Sequence, residues 1–381
     1  MAHDYNIGII GAGPAGCTVA YFLSKSFNIT LIDNKPIMST VLPTGGGRCN
    51  LAYAEYDYKE LVKNYPRGEK FLYSIFSKFS TADTIELFSQ LGIDTYTQED
   101  MRIFPTSNSS KDVQEKFTNA LKNISIKREE ALRIEIEKDK IKVITDYNSY
   151  YFDKLIVATG SHQGFEMIKR IGISVTDIYP SLVGFTTSEN FKSISGLSIK
   201  NVQEKNTHLS GDILFTHYGV SGPLIYKISS IKAKEKSPYT LSFNLVNDDI
   251  DLQQLFNDNP HKQIHNLLSE FIPKNFVRFI LNKQHIDLYL ECHLITKDLR
   301  EAIKKELFDF KITTTGTKKD GETVNCGGVD LKSINPKTLE SKEIPNIYFC
   351  GEILDIDGFC GGFNLQNCWS TGFVVASAIN N

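Results

Sequence analysis

The sequence predicts an α/β fold with a doubly wound parallel sheet, split by an inserted domain, and three observations point to it. An apolar run at 5–10 ends in glycines, passes into a helical stretch at 14–26, and is followed directly by a second apolar run at 28–33. A further buried-strand pattern at 154–157 is stopped by Ala158, Thr159 and Gly160. Another, at 344–350, returns only after a stretch of different character at 187–342.

The first three segments form a βαβ unit, which needs a right-handed crossover. Pro14 suits the first helical position, where its missing N–H costs nothing. After a glycine-rich loop at 44–50, the segments 56–64, 68–79 and 81–91 have helical character, and 124–152 consists of short alternating strands. The interior stretch opens with polar, β-branched segments and continues with two charged amphipathic stretches, 251–282 and 296–310. A final helix spans about 366–378. The expected division is a discontinuous first domain (1–186 and 343–381), a β-rich insert (187–250 and 311–342) and a helical module (251–310).

Composition limits the function classes. The chain has 381 residues, 41% hydrophobic and 23% charged, with a formal net charge of −3, which gives no reason to expect a nucleic-acid partner and favours a small-molecule substrate. The opening MAHDYNIGIIGAG has no basic n-region, and no apolar stretch nears the roughly 18 residues a membrane span needs, so a cytoplasmic protein without a membrane partner is expected. Seven scattered cysteines read as reduced thiols. Oligomeric state is not legible.

The chemistry begins at GAGPAG, which places Gly11, Gly13 and Gly16 in G-x-G-x-x-G spacing between a strand and a helix. The first glycine permits the tight turn, the second lets a pyrophosphate approach the backbone beside Pro14 and Ala15, and the third packs helix on strand. The helix N-terminus offers N–H groups and partial positive charge to phosphates. Asp33, 17 residues after Gly16, suits hydrogen bonds from ribose hydroxyls. The alternative is a tight turn with no ligand.

The C-terminal segment selects FAD over NAD. Gly351 and Glu352 follow a buried strand and fit a turn that lays an acid against a ribityl chain. Gly361, Gly362 and Phe363 enter a helix whose N-terminus suits a ring that turns anionic on reduction. A glycine-rich turn with a packing helix is the competing reading.

The loop TGGGRCN adds Gly46, Gly47, Arg48, Cys49 and Asn50, with glycines that allow positive φ and close approach to a planar ring. Cys49 is a weak catalytic candidate: disulfide chemistry needs a second thiol nearby, and the next cysteine is Cys292. His217, in FTHYGVSGP, is either a proton donor or base, or a structural hinge, with Tyr218 and Ser221 weaker still. No H-E-x-x-H, C-x-x-C or G-x-S-x-G occurs, so no metal is expected and the catalytic residue stays unknown. The segment 158–164, with Thr159 and Gly160, ends a strand and opens no second nucleotide-binding unit.

GAGPAG, TGGGRCNL, FTHYGVSGP, CGGVDL with LESK, and GEILDIDGFCGGFNLQNCWSTGF resemble, in order and spacing, the bacterial flavoproteins grouped as BaiN-like or aminoacetone-oxidase-family FAD-binding proteins. The resemblance runs from Ile7 to about Ala378. It implies a Rossmann-like FAD-binding domain of the glutathione-reductase type, interrupted by a strand-rich, barrel-like insert carrying a helical module. It also implies FAD contacts at Gly13, Ala15, Asp33, Asn34, Arg48, Cys49, Glu352, Gly362 and Asn364. Two departures stand out: Asp33 replaces the more frequent Glu, and the ending reads NCWSTGF.

The expected reaction is hydride transfer through flavin N5, with NAD(P)H as a transient donor and substrate bound between FAD domain and insert. A flavin oxidase or monooxygenase, or a non-catalytic flavoprotein sensor with the insert as a partner-binding module, are the alternatives.

Overall fold

The computed structural model describes residues 5–160, 164–246, 250–318 and 324–381. The chain divides into two compact units, one from residues 1–179 and 324–381, the other from 180–323.

The first unit is built on a five-stranded parallel sheet. Its strands are β1 (Asn6–Ile10), β2 (Asn28–Ile32), β3 (Ser125–Lys127), β4 (Lys154–Val157) and β5 (Ile347–Phe349), in the order β5-β4-β1-β2-β3. In register, Ile9 lies opposite Leu31 on one side and Ile156 on the other. The central strands read as near-continuous apolar runs because helices and loops cover both faces of such a sheet. Helix α1 (Pro14–Leu23) follows β1, and α2 (Phe363–Asn380) closes the unit. The two helices press together at Gly372, where a Cβ would fall 2.8 Å from the Ala15 carbonyl oxygen.

The predicted strands of 124–152 separate into two roles. Ser125–Lys127 joins the parallel sheet, while Ala131–Ile136, Ile141–Thr145 and Ser149–Phe152 form an antiparallel sheet of their own. The helices expected at 68–79 and 81–91 occur as Glu69–Phe76 and Thr81–Gln90, the second opened by a capping box between Ser80 and Asp83.

The second unit contains a closed six-stranded barrel. Around the barrel run Phe185–Thr187, Gly219–Ser221, Ser210–Thr216, Ser198–Glu204, Tyr239–Asn244 and Phe310–Thr317. Phe191, Phe215, Phe243, Phe276 and Phe310 fill its core, with Phe191 and Phe215 edge to face at 5.0 Å. The amphipathic stretch 251–282 breaks at Pro260 and Pro273 into Leu252–Asp258, Ile264–Leu268 and Lys274–Lys283. These helices share one core with the barrel.

The unit boundaries fall elsewhere than the sequence suggests. Residues 180–186 go with the barrel, where Phe185 begins a strand. Residues 324–342 go with the first unit: Asp330 N–H donates to the Ser174 carbonyl, and Val329 N–H to the Ile353 carbonyl.

Candidate cofactor site

The turn after β1 explains its glycines atom by atom. Gly11 has φ of +107°, and a Cβ there would sit 2.2 Å from the Ala158 carbonyl oxygen, so no L side chain fits. A Cβ on Gly16 would lie 2.0 Å from the Gly11 carbonyl oxygen, the close helix–strand approach the motif predicts. Gly13 differs: it precedes α1 with φ of −79°, and its missing side chain leaves only Thr40 Oγ1 within reach, at 3.4 Å. Gly13 therefore keeps space open instead of relieving strain.

Asp33 stands at the end of β2 and accepts N–H groups from Ala12 at 2.6 Å and Lys35 at 2.7 Å, which ties the glycine turn to the second strand. Two clefts meet at this point. One is lined by Gly11, Asp33, Asn34, Glu129, Glu130 and Thr159 among others. The other is lined by Gly11, Gly13, Pro14, Ala15, Asp33, Thr40, Thr159, Gly160, Glu352 and Cys368 among others. Gly11, Asp33 and Thr159 border both, so the N-terminal motif and the C-terminal return face one trough. Residues 161–163 of the 158–164 segment lie outside the described residues.

Glu352 follows Gly351 in a single 3₁₀ turn after β5. Burial, reinforced by the negative charge of Asp357, pushes its carboxyl up to about 7. A proton thus exchanges there near neutrality.

The loop 44–50 has the predicted backbone. Gly45, Gly46 and Gly47 all have positive φ, and Cys49 shares it at +64°. Arg48 is held by its Nε–H bond to the Gly45 carbonyl and lies over the Phe104 ring, 4.2 Å from its centroid. Cys49 is fully buried, and burial pushes its thiol up to about 12, the opposite of a reactive thiolate.

At the C-terminal turn Gly362 has φ of +98°, and a Cβ would strike the Ala52 backbone at 2.6 Å. The Phe363 side chain packs at 4.8 Å, tilted, against Tyr53 and edge-on to Tyr65. Asn364 pairs with both backbone groups of Gly358 and so closes its own loop. Trp369 donates to the Leu51 carbonyl at 2.9 Å, joining α2 to the 44–50 loop.

His217 lies exposed in the tight turn between Ser210–Thr216 and Gly219–Ser221 of the barrel unit, edge-on to Tyr218. Ser221 donates to the Tyr226 hydroxyl.

Several lining residues carried no sequence signal. Glu129 accepts from Thr145, Tyr150 and Asn148, bonds that hold its carboxyl below the usual range. Thr40 and Cys368 line the second cleft from elements distant in sequence.

The residues fit a bound dinucleotide on two observations. The Gly11–Gly13 cradle leaves a space that a side chain at 13 would enter. Asn50 Oδ1 in the 44–50 loop, and both amide atoms of the buried Asn367 on α2, have no hydrogen-bond partner. A polar ligand is one way of satisfying buried polar atoms of this kind.

This fold and trough define a flavin-dependent oxidoreductase with FAD as its cofactor. The chain belongs to the HI0933-like family, whose description, HI0933-like protein Rossmann domain, matches residues 5–378. The ribosomal RNA dihydrouridine synthase of Haemophilus influenzae is similar at 29% identity, with 98% of each chain covered. The 3-dehydro-bile acid delta(4,6)-reductase of Clostridium scindens is similar at 26% identity, again with 98% of each covered. Among solved structures, the Mycobacterium smegmatis Sdh1 complex in the apo form shares the fold, with a TM-score of 0.52 at 13% identity over 99% of this chain and 68% of that one. No helix among the described residues is long and apolar enough to cross a membrane.

Proposed function

We propose that this protein reduces a carbon–carbon double bond conjugated with a carbonyl group, in the cytoplasm, with NAD(P)H as electron donor. One observation carries the reading: two full-length relatives, a ribosomal RNA dihydrouridine synthase and a 3-dehydro-bile acid delta(4,6)-reductase, are named for the reduction of such a bond in unrelated substrates. The bound FAD supplies hydride transfer through N5. The chain's own residues bind and orient: Gly11 and Gly13 would admit the phosphates, Asp33 would hold the ribose hydroxyls, and Glu352 holds an exchangeable proton in the same cleft.

The sequence's net charge of −3 favours a small conjugated molecule; the full-length likeness to an RNA-modifying enzyme favours a uracil ring in RNA. One experiment separates them. The purified protein is reduced anaerobically with NADH or NADPH while the flavin band near 450 nm is followed, then mixed with a conjugated steroid ketone or with unmodified ribosomal RNA. Bleaching by a donor and reoxidation by one acceptor supports the reading and identifies the substrate class. Reoxidation by air alone favours the oxidase alternative, and no bleaching by either donor removes NAD(P)H from the scheme.

A further inference from the structure

The second unit carries a cluster of donor atoms with no part in the cofactor site. We propose that His261, Glu291 and His293 bind a divalent first-row transition ion, with zinc the best match to the donor set.

The side chains stand on a rigid frame. Ile264 N–H donates to the Leu290 carbonyl at 2.9 Å, Cys292 N–H to the Lys262 carbonyl at 3.0 Å, and His293 N–H to the Pro260 carbonyl at 3.0 Å. Gln263 and Glu291 face each other across the same antiparallel pairing. The ladder sets His261 beside His293, with ring centroids 5.3 Å apart.

The distances then match a coordination polyhedron. His261 Nδ1 lies 3.1 Å and His293 Nδ1 3.3 Å from the same carboxylate oxygen, Glu291 Oε2. In a tetrahedral zinc site with bonds of about 2.0–2.1 Å, neighbouring donors are about 3.3–3.4 Å apart. All three donors lie within 4.8 Å of one another, and the remaining edge closes by rotation of the His261 side chain, which is 84% exposed. A dication takes the place of the proton shared between His261 Nδ1 and Glu291 Oε2. His293 Nδ1 gives up its 2.9 Å bond to the Pro260 carbonyl in the process.

Competing groups are engaged elsewhere. Lys262, the nearest cation in sequence, pairs with Glu270. Cys292, between two of the ligands, is buried and stands outside the donor group, so the site is nitrogen and oxygen only. Three protein ligands leave a position for water or an outside donor. No sequence motif marks the site because its ligands come from segments 30 residues apart.

The test uses the FAD-loaded full chain, treated with chelator and dialysed, then titrated with Zn²⁺ by calorimetry and with Co²⁺ by visible absorption. The expected result is one saturable equivalent for the unaltered protein. In the His261→Ala/His293→Ala double variant and in Glu291→Gln, affinity should fall at least about tenfold while the flavin spectrum is unchanged. Absence of saturable binding overturns the proposal. Equal binding by the unaltered protein and both variants also overturns it, by placing the metal on other ligands such as the thiols.

Discussion

Arg67 and Asp357, 290 positions apart, meet in a two-point ion pair, with Nε and Nη2 each donating to one carboxylate oxygen. The aspartate is fully buried, and the backbones of the two residues bridge as well. The pair fastens the segment before Glu69–Phe76 to the loop between Glu352 and α2.

Removing the cation takes from a buried carboxylate its two-point ion pair. Arg67→Ala is expected to cost about 3–5 kcal/mol in urea unfolding, and Arg67→Lys to recover only part of it because the fork geometry is lost. A change below about 1 kcal/mol would show that Asp357 finds equal compensation elsewhere.

Gly11 and Gly13 should separate stability from cofactor binding. Gly11→Ala meets both a positive φ and a carbonyl oxygen 2.2 Å away, so the chain should lose about 2–4 kcal/mol and its flavin together. Gly13→Ala meets no closer atom than Thr40 Oγ1 at 3.4 Å, so the melting temperature without cofactor should stay put while FAD affinity drops at least about tenfold. Equal FAD content in Gly13→Ala and the unaltered protein would remove Gly13 from the phosphate site.

Glu352 makes the cofactor-free protein sensitive to pH. Its carboxyl, ordinarily near 4.5, titrates at about 7 in the folded chain, so the folded state holds the proton more tightly than the unfolded one. Its stabilising contribution is complete below pH 4.5 and is lost as pH rises through about 7. We expect a loss of about 2–3 kcal/mol across that window, tempered by the residue's partial exposure. Glu352→Gln should flatten the profile, as measured by denaturant titrations at pH 5 and pH 8. An unchanged slope would assign it to another group.

Thiol labelling should single out one cysteine. Six of the seven are buried and Cys360 is exposed, so a maleimide should modify Cys360 rapidly in the native protein and the others only after unfolding. Cys49→Ser should retain flavin reduction, measured as bleaching by dithionite or by a nicotinamide donor. A Cys49 that labels as fast as Cys360 would contradict its burial.

Much of the first unit could be read from the sequence because its signals are local. GAGPAG sits between a strand and a helix, and Gly362 stands where α2 begins, so each glycine reports a backbone constraint at its own position. The cleft lining was partly legible for the same reason: Gly13, Asp33 and Glu352 belong to turns that end or follow strands. Phe363 and Asn364 show the limit, since packing on Tyr53 and pairing with Gly358 depend on the chain's return path. Arg67 and Asp357 give no periodic or spacing signal, because neither is informative until the ends of the unit are joined. The barrel was legible only through the family resemblance: short polar strands look alike whether a sheet stays open or its first and last strands pair, as Phe185–Thr187 and Phe310–Thr317 do.

The order of the strands also bears on how the protein is made. On the ribosome β4 emerges with its outer edge unpaired, and Leu155, Ile156 and Val157 wait for partners that the chain delivers only at Ile347–Phe349, after the barrel unit has been translated. During that interval the nascent protein presents an apolar parallel edge of the kind that recruits chaperones or neighbouring chains. Flavin capture must therefore await synthesis of this returning strand, and every premature stop before Ile347 should yield a colourless product destined for proteolysis.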